Sequence, residues 1–293
     1  MDRPYARIIP PLNTKEPKQI TKEQVELFRS LFRGRSDAFG ADSGRCVKEP
    51  LTDEVIQEHL TGKRRIGIYP LSQEILDAKG TWWSVIDVDD NNLNLAIQLR
   101  DILIRFGLDC YIEKSKSKGF HVWAFFAEPI PSRKARAVMK YALTMLEGDT
   151  GYSVKEIFPK QDSLNDKDSY GNYLNMPLFD KDAVNGRTVF LDTDNSFEPY
   201  QDQWSFLQSI KKITPQQIDD LIAQTEIKLT EEPPVKEKDN QSSFSWQIMN
   251  PCFQEMIEGV NKGSRNTVSF VLAKHLRMKD FPQNATMAIL QNV

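Results

Sequence analysis

The densest hydrophobic signal lies at Thr81–Asp90, where Trp82, Trp83, Val85, Ile86 and Val88 form an aromatic and β-branched run that predicts a strand. The run ends in Asp87, Asp89 and Asp90. Side chains alternate along a strand, so Asp87 and Asp89 share one face and Val88 takes the other. Apolar residues at helical spacing predict helices over Ile20–Arg33 with Thr21 as cap, Leu51–Leu60 with Thr52 as cap, Leu93–Phe106, Ser132–Glu147, Asp202–Ile213 and Pro215–Thr225. Further strands are predicted at Ile66–Tyr69, Asp109–Ile112, Phe120–Phe126, Ser153–Phe158 and Thr188–Asp192, with loops at Gly40–Pro50, at Glu113–Gly119 and through Asp168. The order strand–helix–strand–strand–helix–strand from Thr81 to Phe158 implies a mixed sheet with helices on one face. In such a sheet the tip of the central strand and the Glu113–Gly119 loop meet at one edge.

Length and composition set the frame. The 293 residues suffice for a sizeable core, and 40% hydrophobic with 27% charged residues is a globular balance. We divide the chain into an N-terminal helical region (1–62), a central α+β domain (63–226), a charged, Pro-Pro-containing linker (227–244) and a helical C-terminal domain (245–293). The last pattern breaks off at Val293, as in a chain cut from a longer protein. No apolar run approaches the roughly 20 residues needed to span a bilayer, and the N-terminus lacks the apolar core of a secretory signal. The expected location is therefore cytoplasmic. Cys46, Cys110 and Cys252 form no paired spacing, so no disulfide framework and no zinc site are expected. A net charge of −3 excludes a uniformly basic surface but leaves room for a local basic groove.

Three stretches carry chemistry. Asp87 and Asp89, side by side, repel unless a cation lies between them, and hard divalent ions take such oxygen ligands; a solvated strand end is the plain alternative. Ser115, Ser117, Lys118 and Gly119 lie in a donor-rich turn suited to phosphate oxygens, with His121 just beyond it on the strand face opposite Phe120 and Val122. Glu156 alternates with Val154 and Phe158, which places a third acid in a cleft or on a wet edge. Asn172, in a turn, is a neutral donor for phosphate or sugar. Arg33 and Arg35 flank a glycine at a helix end and suit a phosphate contact as well as an ordinary helix terminus. Three carboxylates, a donor turn and a histidine suit phosphoryl transfer, in which two divalent ions about 4 Å apart activate a hydroxyl and stabilise the leaving pyrophosphate.

In this combination the residues resemble the three motifs of archaeo-eukaryotic primases: Asp87 and Asp89, the run from Ser117 to His121, and Glu156. Within that superfamily the sequence is most similar to the primase-polymerases of TOTE conflict systems and to CRISPR-associated primase-polymerases. The flanks agree: FRGR (32–35), LTDEVIQEHLTG (51–62), IGIYPL (66–71), FPKQD (158–162), GNYLNMPL (171–178) and DQWSFL (202–207). The resemblance runs over Gln24–Leu207. It implies an α+β, primase-like fold of mixed sheets with flanking helices and a small C-terminal helical domain. It also implies template-directed polymerisation of NTPs or dNTPs on single-stranded DNA, with Asp87, Asp89 and Glu156 holding two Mg²⁺ or Mn²⁺ ions. Ser115, Ser117, Lys118, Gly119 and His121 then bind incoming nucleotide, with Asn172 nearby. Residues 251–276 are similar to the helical domain that follows many such primases; its turn offers Arg265 and Asn266 to template or initiating nucleotide, unless that turn is simply a helix cap. Proteins of CRISPR adaptation or of mobile-element replication are the implied partners, and no membrane is. The third motif carries glutamate where several primases have aspartate, and the cysteine-rich insertion of many TOTE relatives is reduced to Cys46.

Four readings stay open at this level: a primase-polymerase that makes and extends primers, a gap-filling repair polymerase that extends only, a metal-dependent nuclease, and a non-catalytic single-strand binder using Trp82, Trp83 and lysines.

Overall fold

The structure is a computed structural model. It describes residues 19–229 apart from Ser43, Gln73, Asp77, Ala78, Asp90, 151–155, 165–169, Glu226 and Lys228, together with Ala273; for 147–150 it describes backbone alone. The chain divides into two compact units, Met1–Glu232 and Pro233–Val293. The linker, the C-terminal helical domain, Arg265 and Asn266 lie outside the described residues.

The helices begin where their caps are. Thr21 and Gln24 form a reciprocal capping box that starts α1 (Lys22–Leu31), and the Thr52 hydroxyl accepts from Val55 N to start α2 (Asp53–Leu60). Asn92 caps α3 (Leu93–Arg105) in the same way. Then come α4 (Ser132–Thr150), a short α5 (Asp180–Ala183), α6 (Gln203–Ser209) and α7 (Pro215–Thr225).

Two sheets result. The larger contains β4 (Gly80–Val88), β5 (Cys110–Lys114), β6 (Phe120–Pro131), β7 (Glu156–Phe158), β9 (Val189–Asp192) and β10 (Glu198–Pro199), in the order β10-β9-β5-β6-β4-β7. The smaller contains β1 (Phe39–Ala41), β2 (Cys46–Val47), β3 (Ile66–Ile68) and β8 (Leu174–Asn175), in the order β2-β1-β3-β8. The α+β class is as expected, but three details differ from the sequence reading. Every ladder between these strands is antiparallel rather than mixed. Gly40–Pro50 is not a plain loop; it contains most of the β1–β2 hairpin, whose strands are too short to show an alternating pattern. Helices cover both faces of the larger sheet, not one.

The two faces follow from alternation. Ile86, Val88, Ile112, Val122 and Ala124 pack with α3, α4 and α7 through Leu99, Leu103, Val138, Met139 and Ile218. On the opposite face Trp83, Val85, Trp123 and Phe125 pack with Phe28 and Phe32 at α1, with Ile56 and Leu60 of α2, and with Phe39, Ile66, Ile68 and Leu174 of the smaller sheet. The two sheets therefore share one core, and a cleft opens where that core stops. Among the described residues no helix is long and apolar enough to cross a membrane.

Candidate active site

Register builds the site. Asp87 pairs with His121 on one side and Glu156 on the other, and His121 pairs in turn with Glu113, which pairs with Phe190. Residues directly opposite each other in neighbouring strands point to the same side, so Glu113, His121, Asp87 and Glu156 form one polar row across four strands. The adjacent row on the same face is Tyr111, Trp123, Val85 and Phe158. The polar row thus sits at the rim of an apolar floor.

The histidine is held firmly. His121 Nδ1 donates to Glu113 Oε2 at 2.7 Å, and Trp123 Nε1 donates to the same oxygen at 2.7 Å. A carboxylate only accepts, so Nδ1 carries the proton and Nε2 faces Asp87 Oδ1, 3.6 Å away. Burial alone would lower the His121 pKa. The charge and hydrogen bond of Glu113, aided by Asp87 and Asp89, outweigh burial and hold it above the ordinary histidine value. Glu113 is 1% exposed. It is not the start of the expected loop, because the strand runs past Ile112 to Lys114. A hairpin centred on Ser117 pairs Glu113 with His121 by symmetry, and that is the signal in the sequence that points to it.

Asp87 is raised above the usual carboxylate value, first by burial; His121 opposes this, and Asp89, Glu156 and Glu113 add to it. A cation would relieve that repulsion, and the donors are hard oxygens suited to Mg²⁺ or Mn²⁺. Asp89 follows the strand end and is exposed. Glu156 Oε1 meets Lys160 Nζ at 2.5 Å. Among the described residues no group of three or more His, Cys, Asp or Glu side chains is drawn together closely enough to hold an ion. The donor set fits a divalent cation in chemistry, and Lys160 shares its third member.

The turn after β5 is a closed hairpin loop. Ser115 N donates to Gly119 O at 2.9 Å, and Gly119 N donates to the Ser115 hydroxyl at 3.1 Å. Ser115 is thus a brace of the loop, while Ser117 and Lys118 are exposed. A Cβ on Gly119 would stand 2.5 Å from the Val88 carbonyl oxygen, so glycine is required where β6 first meets β4. Lys116 Nζ binds Asp42 at 2.7 Å.

The cleft, of about 350 Å³, is lined by Asp87, Asp89, Glu113, Ser115, Ser117, His121 and Glu156 and by Tyr173, Asn175 and Thr188; Lys116 and Lys160 also line it. Asn172 is not among the lining residues: it accepts from Gln161 Nε2 at 2.8 Å. Asn175 lines the cleft instead, with its neighbours Tyr173 and Leu174. Its Oδ1 and the Thr188 hydroxyl are buried without hydrogen-bond partners. Arg33 and Arg35 stand apart from the cleft. Arg35 is buried against Asp37 at 2.6 Å and stacks 4.1 Å from the Tyr170 centroid, whereas Arg33 is exposed.

The family described as the archaeo-eukaryotic primase domain of the TOTE conflict system has a model that matches residues 41–221. No curated protein matches. Among solved structures, the polymerase domain of Ligase D from Mycobacterium tuberculosis in complex with DNA is 18% identical, with 64% of this chain and 70% of that chain covered and a TM-score of 0.35. Primase RepB′ is 12% identical, with 92% and 86% covered and a TM-score of 0.32. At those TM-scores the structural likeness carries no argument. The family match is another matter: because it takes in more than half of the 293 residues and every strand that shapes the cleft, the chain belongs to the archaeo-eukaryotic primase domains of TOTE conflict systems.

Proposed function

We propose that the chain is a DNA-templated primase-polymerase that makes primers and extends them from nucleoside triphosphates. The observation that carries this reading is the single row Glu113–His121–Asp87–Glu156 across the larger sheet. It sets a buried, carboxylate-backed imidazole beside a set of acids, which is the charge pattern of a site for triphosphate and divalent cations together.

Each residue has a part. Asp87, Asp89 and Glu156 would hold the divalent ions. Those ions, when bound, supply Lewis acidity for the attacking 3′-hydroxyl and for the leaving pyrophosphate. His121 donates from Nδ1 to Glu113, whose charge favours the imidazolium, and in that form Nε2–H would donate to phosphate oxygens. Ser117 and Lys118 on the hairpin loop add donors, as does Lys116. Asn175 Oδ1, an acceptor without a partner, suits a sugar hydroxyl or a base amine rather than phosphate, which has no proton to give. A nuclease has no need of such a cradle, so the cations around the row favour polymerisation over hydrolysis.

The test is synthesis on a defined single-stranded template, with Mg²⁺ or Mn²⁺ and each nucleotide pool offered separately, with and without a primer. Products from the unprimed template are expected, and Asp87→Asn with Asp89→Asn should abolish them. Extension confined to primed templates would favour the gap-filling reading. Extension undiminished in the double variant would overturn the proposal.

A further inference from the structure

The FRGR segment at Phe32–Arg35 is not absorbed by the cleft, and its two arginines have different surroundings. Arg35 turns inward. Arg33 lies with its guanidinium 4.3 Å from the Trp82 ring centroid, and its carbonyl accepts from Trp83 Nε1 at 2.7 Å, so the backbone beneath it is pinned. Lys212 lies in the segment between α6 and α7, next to Ile213, which bonds Phe125, the cross-strand partner of Trp83. That segment is pinned as well: Lys211 N donates to the Tyr111 hydroxyl at 2.8 Å, Ile213 N to Phe125 O at 2.8 Å, and Ala127 N to Ile213 O at 2.9 Å.

Lys212 is close enough to Arg33 to feel its charge: partial burial first, and Arg33 second, hold its ammonium below the ordinary lysine value. Among the described residues no carboxylate pairs with Arg33, Lys211 or Lys212. Two exposed cations on fixed backbones, repelling each other beside a partly exposed indole, gain from an anion that also has a flat face. An unpaired nucleotide has both, because its base is free to stack on a guanidinium or an aromatic ring. A duplex offers the phosphates alone. The patch lies toward the Gly80 end of β4 while Asp87 lies at the other, roughly 17 Å away at about 3.3 Å per residue. A few nucleotides of single strand cover that span.

We propose that Arg33, Trp82 and Lys212 form a docking site for single-stranded nucleic acid, with phosphates against the two cations and a base against the guanidinium–indole pair. Only the identification of that strand as the template rests on the primase-polymerase reading; the binding itself does not.

The experiment is fluorescence anisotropy of a labelled single-stranded oligonucleotide with the full chain over a series of salt concentrations. Arg33→Ala with Lys212→Ala should weaken binding at least tenfold at low salt and lower the slope of log K against log salt by about 1.4, or about 0.7 for each phosphate left without its cation. A charge-matched control, Lys22→Ala with Arg105→Ala, should change neither. Trp82→Phe should weaken binding to the single strand more than to a duplex of the same sequence. Asp87→Asn with Asp89→Asn should keep the affinity while losing synthesis, which separates failure of this site from failure of the functional reading. Unchanged affinity and slope in Arg33→Ala with Lys212→Ala, in a protein whose circular dichroism matches wild type, would overturn the proposal. So would a preference for duplex.

Discussion

Glu113 shows how one residue governs the chemistry of another. A carboxylate at 1% exposure is costly unless paired, and here it accepts from both His121 and Trp123. Glu113→Gln keeps the shape and an acceptor but removes the charge opposite the imidazole. We expect it to raise the KM for nucleotide roughly tenfold, the scale of one charge-assisted hydrogen bond, with a smaller effect on kcat and on Tm; an unchanged KM in steady-state kinetics would count against the role. His59 is the opposite case. It is fully buried, accepts from Ile66 N at Nδ1 and donates from Nε2 to Pro177 O at 2.8 Å, so it is neutral, and burial lowers its pKa from 6.5 to about 4. As pH falls, the unfolded chain takes up this proton first. The stability that is present above pH 6.5 is therefore lost as pH drops toward about 4. At about 1.4 kcal/mol per unit this amounts to about 3 kcal/mol. Urea unfolding of wild type and His59→Gln across that range should show wild type losing the larger share; parallel curves would refute it.

At the scale of elements, the helices are legible in the sequence because their signals are local. Thr21, Thr52 and Asn92 each cap the helix they precede, and the apolar spacing tells which face is inward. Strand β4 is equally plain. Of the smaller sheet only β3 is, because the other strands are two or three residues long and glycine takes the place of a periodic side chain. Gly40 and Gly67 are paired in register, and a Cβ on either would run into the Tyr173 ring. The glycines thus make the bed on which a cleft-lining aromatic rests. Gly119→Ala, which puts a methyl against the Val88 carbonyl, and Gly67→Ala, which displaces Tyr173, should each cost about 1–3 kcal/mol. Thermal unfolding measures this, and the idea fails if both variants melt with wild type.

For the whole molecule, the shared core is what keeps the cleft in shape. Phe32 is 1% exposed and meets Phe28 at 4.7 Å, Trp123 at 5.2 Å and Phe125 at 5.6 Å between ring centroids. It belongs to the same cluster as Phe39 and Ile66 of the smaller sheet. Phe32→Ala should cost about 3–5 kcal/mol, and hydrogen exchange should show the amides of β3 and β6 losing protection together. Retained protection in β3 would mean that the sheets fold independently of this core.

Taken by itself, the sequence determined the acids at the end of β4, the donor turn, the histidine beyond it and the family to which they point, since each of these is written in adjacent residues. What only the tertiary structure decided is which side chains face one another across strands and sheets. Asp87 between His121 and Glu156, Asn175 rather than Asn172 at the cleft, and Arg33 parted from Arg35 all depend on register and on which backbone passes nearby. Register comes from burying one face of every strand at once, and no short stretch of sequence contains that condition.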